Sequence, residues 1–292
     1  MSCLTSPNHA AKTALFVRIL NIKIRVLTNS LLLKNFIEQG FHCSRISQGH
    51  GASRGGSILK GPKAKTLSVM LKDVTDIREI RTALSKLIAL VLKGVDKRYW
   101  IFHAAAFSWD SHATVVFGDG GTGKSSLCFA AGLSGARILG DEPVLIDKKS
   151  HQVVPFRYLL KLVEFHRAFP RWRAIRDFDF DRSRFVGKQG PASQRMDFNF
   201  FTRKEMRELN IRVACKSVPL KRIVFLEKKK YDAVIHLYKH CLNQEKRFNF
   251  QEYVPGLNGF IRGKSVVFLQ GMAGKLRDEE KMKTVLNKWR RV

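Results

Sequence analysis

Acidic residues are scarce. Against 53 lysines and arginines stand 24 aspartates and glutamates, a formal charge of +29 over 292 residues. Such a field attracts polyanions: nucleic acid, acidic protein partners or an anionic membrane face. The excess is spread along the chain rather than gathered in a tail, so a general basic surface is the plain alternative. Cysteine is also sparse. Cys3, Cys43, Cys128, Cys215 and Cys241 are odd in number and scattered, with no Cys-x-x-Cys. That spacing implies neither a disulfide framework nor a zinc site. No apolar run approaches the length of a membrane span. The first residues, Met1 to Asn21, lack the charged, apolar and cleavage layout of a signal peptide. A cytoplasmic protein without a transmembrane segment is the expectation. No repeat of fixed period is present, which excludes a solenoid.

Glycine is placed to purpose in one stretch. Gly118 to Ser125 read Gly-Asp-Gly-Gly-Thr-Gly-Lys-Ser, the full G-x-x-x-x-G-K-[ST] phosphate loop (Walker A). The bare pattern arises by chance in roughly one chain in a hundred of this size at ordinary glycine usage. Its flanks are those it needs. Ala113 to Phe117 is a β-branched apolar run that predicts a buried strand, and Ser126 to Ala131 reads as a helix start. Glycines let consecutive backbone N–H groups turn inward around phosphate oxygens. The helix N-terminus adds partial positive charge. The expected nucleotide-contacting set is Gly118, Asp119, Gly120, Gly121, Thr122, Gly123, Lys124, Ser125 and Ser126. In it Lys124 reaches the β- and γ-phosphates and the Ser125 hydroxyl ligates magnesium. ATP and Mg2+ are the expected cofactors.

Phosphoryl transfer also needs an acid to hold the metal and a group to take the acceptor's proton. Ala136 to Gly140 lead as an apolar strand into Asp141 and Glu142, the best candidates for both tasks. That strand is expected beside the phosphate-loop strand. Ser125, Asp141 and Glu142 form the expected metal set; a surface acidic turn is the alternative. Asp147 lies beyond the next strand and reads as a turn residue. Trp100 to Phe107 predicts one buried strand, joined by a turn at Asp110-Ser111 to the phosphate-loop strand as a hairpin-like pair. It carries His103, where a satisfied core histidine competes with a catalytic one. The stretch Arg171 to Phe180 interleaves arginines with Trp172, Phe178 and Phe180. It fits either phosphate binding or a helix with a packed aromatic face.

The remaining chain predicts strands over 22–27, 66–71, 221–227 and 265–269. Helices are predicted over 30–39, 76–92 and 277–291, and 49–62 reads as a glycine-rich loop. The expected division is a small α/β unit over 1–95 and a catalytic domain over 96–292.

The ordered set His103-Ala104-Ala105-Ala106, Gly118 to Ser125, and Leu139-Gly140-Asp141-Glu142 resembles the catalytic domain of the HPr kinase/phosphorylase family. Gly135 stands at the intervening helix end, and Val218 to Glu227 is similar to a strand of these relatives. The resemblance covers roughly residues 80 to 230. It implies an α/β fold with a nucleotide-binding core of the type shared with phosphoenolpyruvate carboxykinases; the small N-terminal α/β unit is read from the residue pattern alone. It implies ATP- and magnesium-dependent phosphorylation of a serine on a protein or peptide, an acidic one suiting the charge. By position Asp141 would be the catalytic base, Lys124 the phosphate clamp, Ser125 a metal ligand and His103 a helper near the acceptor. The second acid of the pair is commonly aspartate in that family and is Glu142 here. The resemblance permits a homo-oligomer. The competing expectation is an ATP-responsive protein that binds nucleic acid or another polyanion without kinase activity; nucleic acid suits the charge but is the less favoured partner.

Overall fold

The computed structural model describes residues 13–20, 22–28, 33–34, 37–38, 43–49, 66–70, 77–95, 97–119, 121–156, 160–163, 186–189, 196–201, 203–227, 234–239, 244–249, 262–270, 284 and 286–287. The protein is an α/β protein. Four strands, β1 (Thr13–Ile19), β2 (Ile22–Thr28), β3 (Cys43–Gly49) and β4 (Thr66–Met70), form a sheet in the order β3-β1-β2-β4. Helix α1 (Ile77–Val95) follows, with Gly94 so close to Ile22 that an added Cβ would lie 2.6 Å from its Cδ1. Of the expected loop 49–62, Gly49 is instead the last residue of β3, and 50–62 lie outside the described residues, as does the stretch 171–180. Of the expected C-terminal helix, 284 and 286–287 are helical, and Leu286 is fully buried.

Eleven strands make the main sheet. They begin with β5 (Tyr99–Phe102), β6 (Ala105–Trp109), β7 (His112–Gly118), β8 (Arg137–Asp141), β9 (Val144–Asp147) and β10 (Gln152–Val154), with helix α2 (Lys124–Leu133) between β7 and β8. A separate three-stranded sheet holds β11 (Leu160–Val163), β12 (Val186–Gln189) and β13 (Met196–Phe201). Helix α3 (Arg203–Glu208) returns the chain to the main sheet through β14 (Arg212–Val213), β15 (Val218–Glu227), β16 (Val234–Lys239), β17 (Gln244–Asn249) and β18 (Ser265–Gln270). The path runs β14-β8-β6-β7-β15-β10-β9-β5-β16-β17, with β18 on β15. Long β15 joins two regions. Its start pairs antiparallel with β10, and its later residues pair parallel with β7 and β18.

Two differences from the sequence expectations bear on the site. The expected single strand Trp100 to Phe107 is two strands, broken at His103 and Ala104, and they pair with different partners. The acid-bearing strand β8 is not beside the loop strand β7; antiparallel β6 lies between them. Ala105 and Phe107 on one face of β6 and Ala106 and Ser108 on the other are all buried, so β6 buries both faces, which its sequence alone does not distinguish from an edge of the same hairpin. The expected hairpin of β6 and β7 is present, closing with Trp109 opposite His112.

Alternation along the strands divides the core into two layers. Val116, Val224 and Leu226 point to the side where α2 packs with Leu127, Phe129 and Ala130. Val115, Phe117, Ile223 and Phe225 point to the other, with Phe102 and Val144. Burial on both faces explains why β7 reads as a continuous apolar run rather than an alternating one. Phe117 stacks on Phe225 at 5.4 Å between ring centroids, and Phe225 stacks on Phe268 at 5.2 Å. These rings lie on β7, β15 and β18 and tie the three parallel strands together. Among the described residues, no helix is long and apolar enough to cross a membrane.

Candidate functional site

Strand direction places the site. β7, β15 and β18 run parallel, β14 runs parallel to β8, and β6 runs against both β7 and β8. Five carboxyl ends therefore open on one edge of this part of the sheet, the edge where open α/β sheets usually bind ligands. Gly118 ends β7 opposite Leu226, and Asp141 ends β8 opposite Ala105. Ala105 also faces Val116 of β7, so Asp141 stands level with Val116, two residues before the glycine loop and two strand spacings away.

The glycine loop has its shape for steric reasons. A Cβ on Gly118 would stand 2.7 Å from both Leu226 O and Thr122 Oγ1, and its φ of 152° is unfavourable for other residues. Gly123 caps α2 at φ 102°, in the left-handed region that glycine enters freely. It brings no side chain to the helix start, and the first turn has no acidic residue. The backbone N–H groups there are thus not blocked by a capping carboxylate. Thr122 closes the turn, with Oγ1 donating to Asp119 O at 2.7 Å.

Lys124 is folded back into this loop. Its ammonium donates to Gly118 O at 2.8 Å and Asp119 O at 3.0 Å, and the residue is 4% exposed. Charge-assisted bonds to two carbonyls hold the cation where the loop curls. The adjacent Ser125 turns the other way. Its Oγ lies 3.0 and 2.9 Å from the two carboxylate oxygens of Asp141, one hydroxyl proton shared between both. Asp141 itself is 1% exposed. Behind it, burial and the Asp141 charge push the Cys128 thiol well above its ordinary range, so Cys128 is a packing residue and not a nucleophile.

Glu142 takes a separate place. Its φ of 33° is in the left-handed region, where a non-glycine residue costs about 1–3 kcal/mol. Its backbone N–H donates to Ala104 O at 3.0 Å and its carboxylate oxygen stands 2.7 Å from His103 Nε2, so both ends are held. The same oxygen is 4.0 Å from Lys124 Nζ. The side chains of His103 and Glu142 are 14% and 28% exposed, in contrast to enclosed Asp141. The break between β5 and β6 is what turns His103 toward the loop.

The structure thus brings together His103, Lys124, Ser125, Asp141 and Glu142. It separates the acidic pair into two tasks: Asp141 on Ser125, Glu142 on His103 and Lys124. Gly120 lies outside the described residues, and Ser126 is half-buried in the first turn of α2. Sequence reasoning missed the closeness of β15, whose Leu226 carbonyl walls the loop at Gly118; no local pattern marks a strand from residue 218 onward as a neighbour. Among the described residues, no three His, Cys, Asp or Glu side chains gather as a metal-holding group. One hydroxyl and one carboxylate on hard oxygen donors do fit magnesium, which keeps waters and substrate oxygens for its remaining positions.

Asp147, read as a turn residue beyond the strand, is instead the last residue of β9, paired with Tyr99, and its carboxylate holds the turn that follows. Its Oδ1 accepts from the backbone N–H of Lys149 and Ser150 at 3.0 and 2.9 Å, and its Oδ2 accepts from Arg98 Nε at 2.9 Å. The Ser150 amide first, then Arg98, hold its pKa at about 2 against an ordinary 3.8. A carboxyl depressed in this way adds stability above the unfolded pKa and loses it as pH falls from about 4 to 2. Arg98 is 65% exposed, which screens part of the gain. Asp147→Asn is therefore expected to cost about 1–2 kcal/mol at pH 7. Urea unfolding of both proteins should show that gap closing toward pH 2.

No family model and no curated protein sequence matches the chain.

Proposed function

We propose that the protein is an ATP- and magnesium-dependent phosphotransferase that moves a γ-phosphoryl group to a hydroxyl, the serine of a protein or peptide being the favoured acceptor. The observation that carries this reading is the contact of Ser125 with Asp141. A glycine-loop hydroxyl and a strand-end carboxylate, separated by 16 positions in sequence, meet at under 3.1 Å. The antiparallel strand between β7 and β8 supports a core of the phosphoenolpyruvate carboxykinase/HPr kinase type rather than an all-parallel nucleotide-kinase sheet.

Each residue has a task in this reading. The loop amides and the α2 N-terminus receive the triphosphate. Lys124 exchanges its two carbonyls for β- and γ-phosphate oxygens, a movement of the ammonium alone. Ser125 Oγ and Asp141 would hold magnesium, which when bound offsets the charge of the phosphates. The resemblance would make Asp141 the base, but its enclosure and its hold on Ser125 favour the holding role. His103 and Glu142 are partly open to solvent, so an arriving hydroxyl can reach them. Its proton passes to this couple as its oxygen attacks the γ-phosphorus and the bond to the β–γ bridging oxygen breaks, leaving ADP and a phosphoester.

Incubating the protein with γ-labelled ATP, magnesium and a cell lysate tests this. Label on a discrete protein or peptide species is the expected result. Release of inorganic phosphate with no labelled acceptor would make the protein a hydrolase instead.

A further inference from the structure

Four arginines meet at the opposite end of the same strands. Arg137 and Arg212 face one another across the parallel pair of β8 and β14, at the amino ends of both. Arg203 and Arg207 lie four positions apart on α3 and so share a helix face. With Asn210 and Ile211 they line a cavity of about 280 Å³. Among the described residues, none that lines it is acidic. Glu208, on the same helix, is engaged at 3.9 Å with Lys204.

Two features of this cluster favour an anion there. Guanidinium groups gathered without a counter-charge repel each other, and each added charge raises the cost. Moreover, Arg203 Nε is enclosed and has no hydrogen-bond partner among the described residues. An unmade bond of that kind costs about 1–3 kcal/mol and calls for an explanation in a native fold. Arg212 is partly anchored, its Nη2 donating to Gly135 O at 3.4 Å. Ile211, 2% exposed, lies against Gly132 at the end of α2.

We propose that this cavity binds a compact, multiply charged phosphate anion, either free polyphosphate or the phosphoryl end of a small metabolite. Planar guanidinium forks match phosphate oxygens in pairs. The volume is near the lower bound for small-molecule sites and leaves room for a small anion such as pyrophosphate together with water. It does not enclose a macromolecule. The site is distinct from the glycine loop. β8 spans about 13 Å from Arg137 to Asp141 at the usual strand rise. α2 likewise runs from Lys124 toward Gly135, so both elements connect the two sites.

Calorimetric titration of the full chain with inorganic pyrophosphate at low ionic strength tests the proposal. Lys124→Met serves as the background, so that binding at the glycine loop does not contribute and failure of the phosphotransfer reading leaves the result intact. The double variant Arg207→Ala, Arg212→Ala is expected to weaken binding at least about tenfold, as for loss of charge-assisted bonds. Both arginines are exposed, so the fold should survive, which a thermal melt checks. Lys216→Ala, Lys221→Ala removes the same charge from exposed positions outside the cavity and should change affinity less than about threefold. Tighter binding of glycerol 3-phosphate than of pyrophosphate identifies a metabolite's phosphoryl group; the reverse identifies free polyphosphate; either supports the site. Equal losses in the two double variants, or no heat at millimolar pyrophosphate, overturn it. So does a single-stranded RNA oligonucleotide that displaces pyrophosphate and depends on the same arginines, which would make the cavity a nucleic-acid backbone contact.

Discussion

Asp141→Asn should reduce phosphoryl transfer at least about 10²–10³-fold while ATP still binds, the scale for losing a preorganised charge at a transferring phosphate. Asparagine keeps the shape and one oxygen to accept from Ser125, so the fold and the glycine loop should persist. What it removes is the negative charge that a cation opposite Ser125 requires. The magnesium dependence of the residual rate should shift to higher concentration, which separates a holding role from a general loss of structure. Glu142→Gln offers the contrast. It leaves the Ser125 contact intact and removes the basic oxygen 2.7 Å from His103. A fall of about 10²-fold in kcat with an unchanged KM for ATP is expected, as for general base catalysis. Single-turnover assays of the two variants give the answer. Full activity in Asp141→Asn would sink the mechanism.

Lys124→Met should lower triphosphate affinity about 10²-fold or more, since each bond between an ammonium and a charged oxygen contributes about 1.5–3 kcal/mol. The effect on folding should be opposite in kind. Lys124 is enclosed, and its charge is held by two carbonyls and the approach of Glu142 at 4.0 Å. Taking an ammonium out of water costs several kcal/mol, and an apolar residue of similar volume avoids that cost. The nucleotide-free variant should therefore melt at or above the parent temperature, while ATP with magnesium no longer raises the transition. A variant that melts much lower without nucleotide would show that Lys124 is a structural cation. A variant that is still stabilised by ATP to the full extent would remove it from the binding site.

Much of the site was legible along the chain because its chemistry is local. The glycine spacing is a statement about backbone curvature, and Gly118 and Gly123 stand at positions where a side chain is unfavourable. The apolar run into Asp141 announced a buried strand ending on an acid. The turn at 110–111 announced the hairpin of β6 and β7. Other elements carried weaker signals. β16 and β17 went unread because their basic and polar residues mask the strand period, and the arginines of the second cavity come from three elements far apart in sequence.

The order of amino acids by itself determined that a glycine cradle, a lysine and a strand-end acid exist, because each is encoded within a few residues and depends on local sterics and periodicity. Only the tertiary structure decided which acid meets which partner. Whether Asp141 serves Ser125 and Glu142 serves His103 depends on β6 entering between β7 and β8 and on the break after Phe102. Strand order is a property of long-range pairing, selected by how the two faces of the sheet bury their side chains, and no window of neighbouring residues contains that energy.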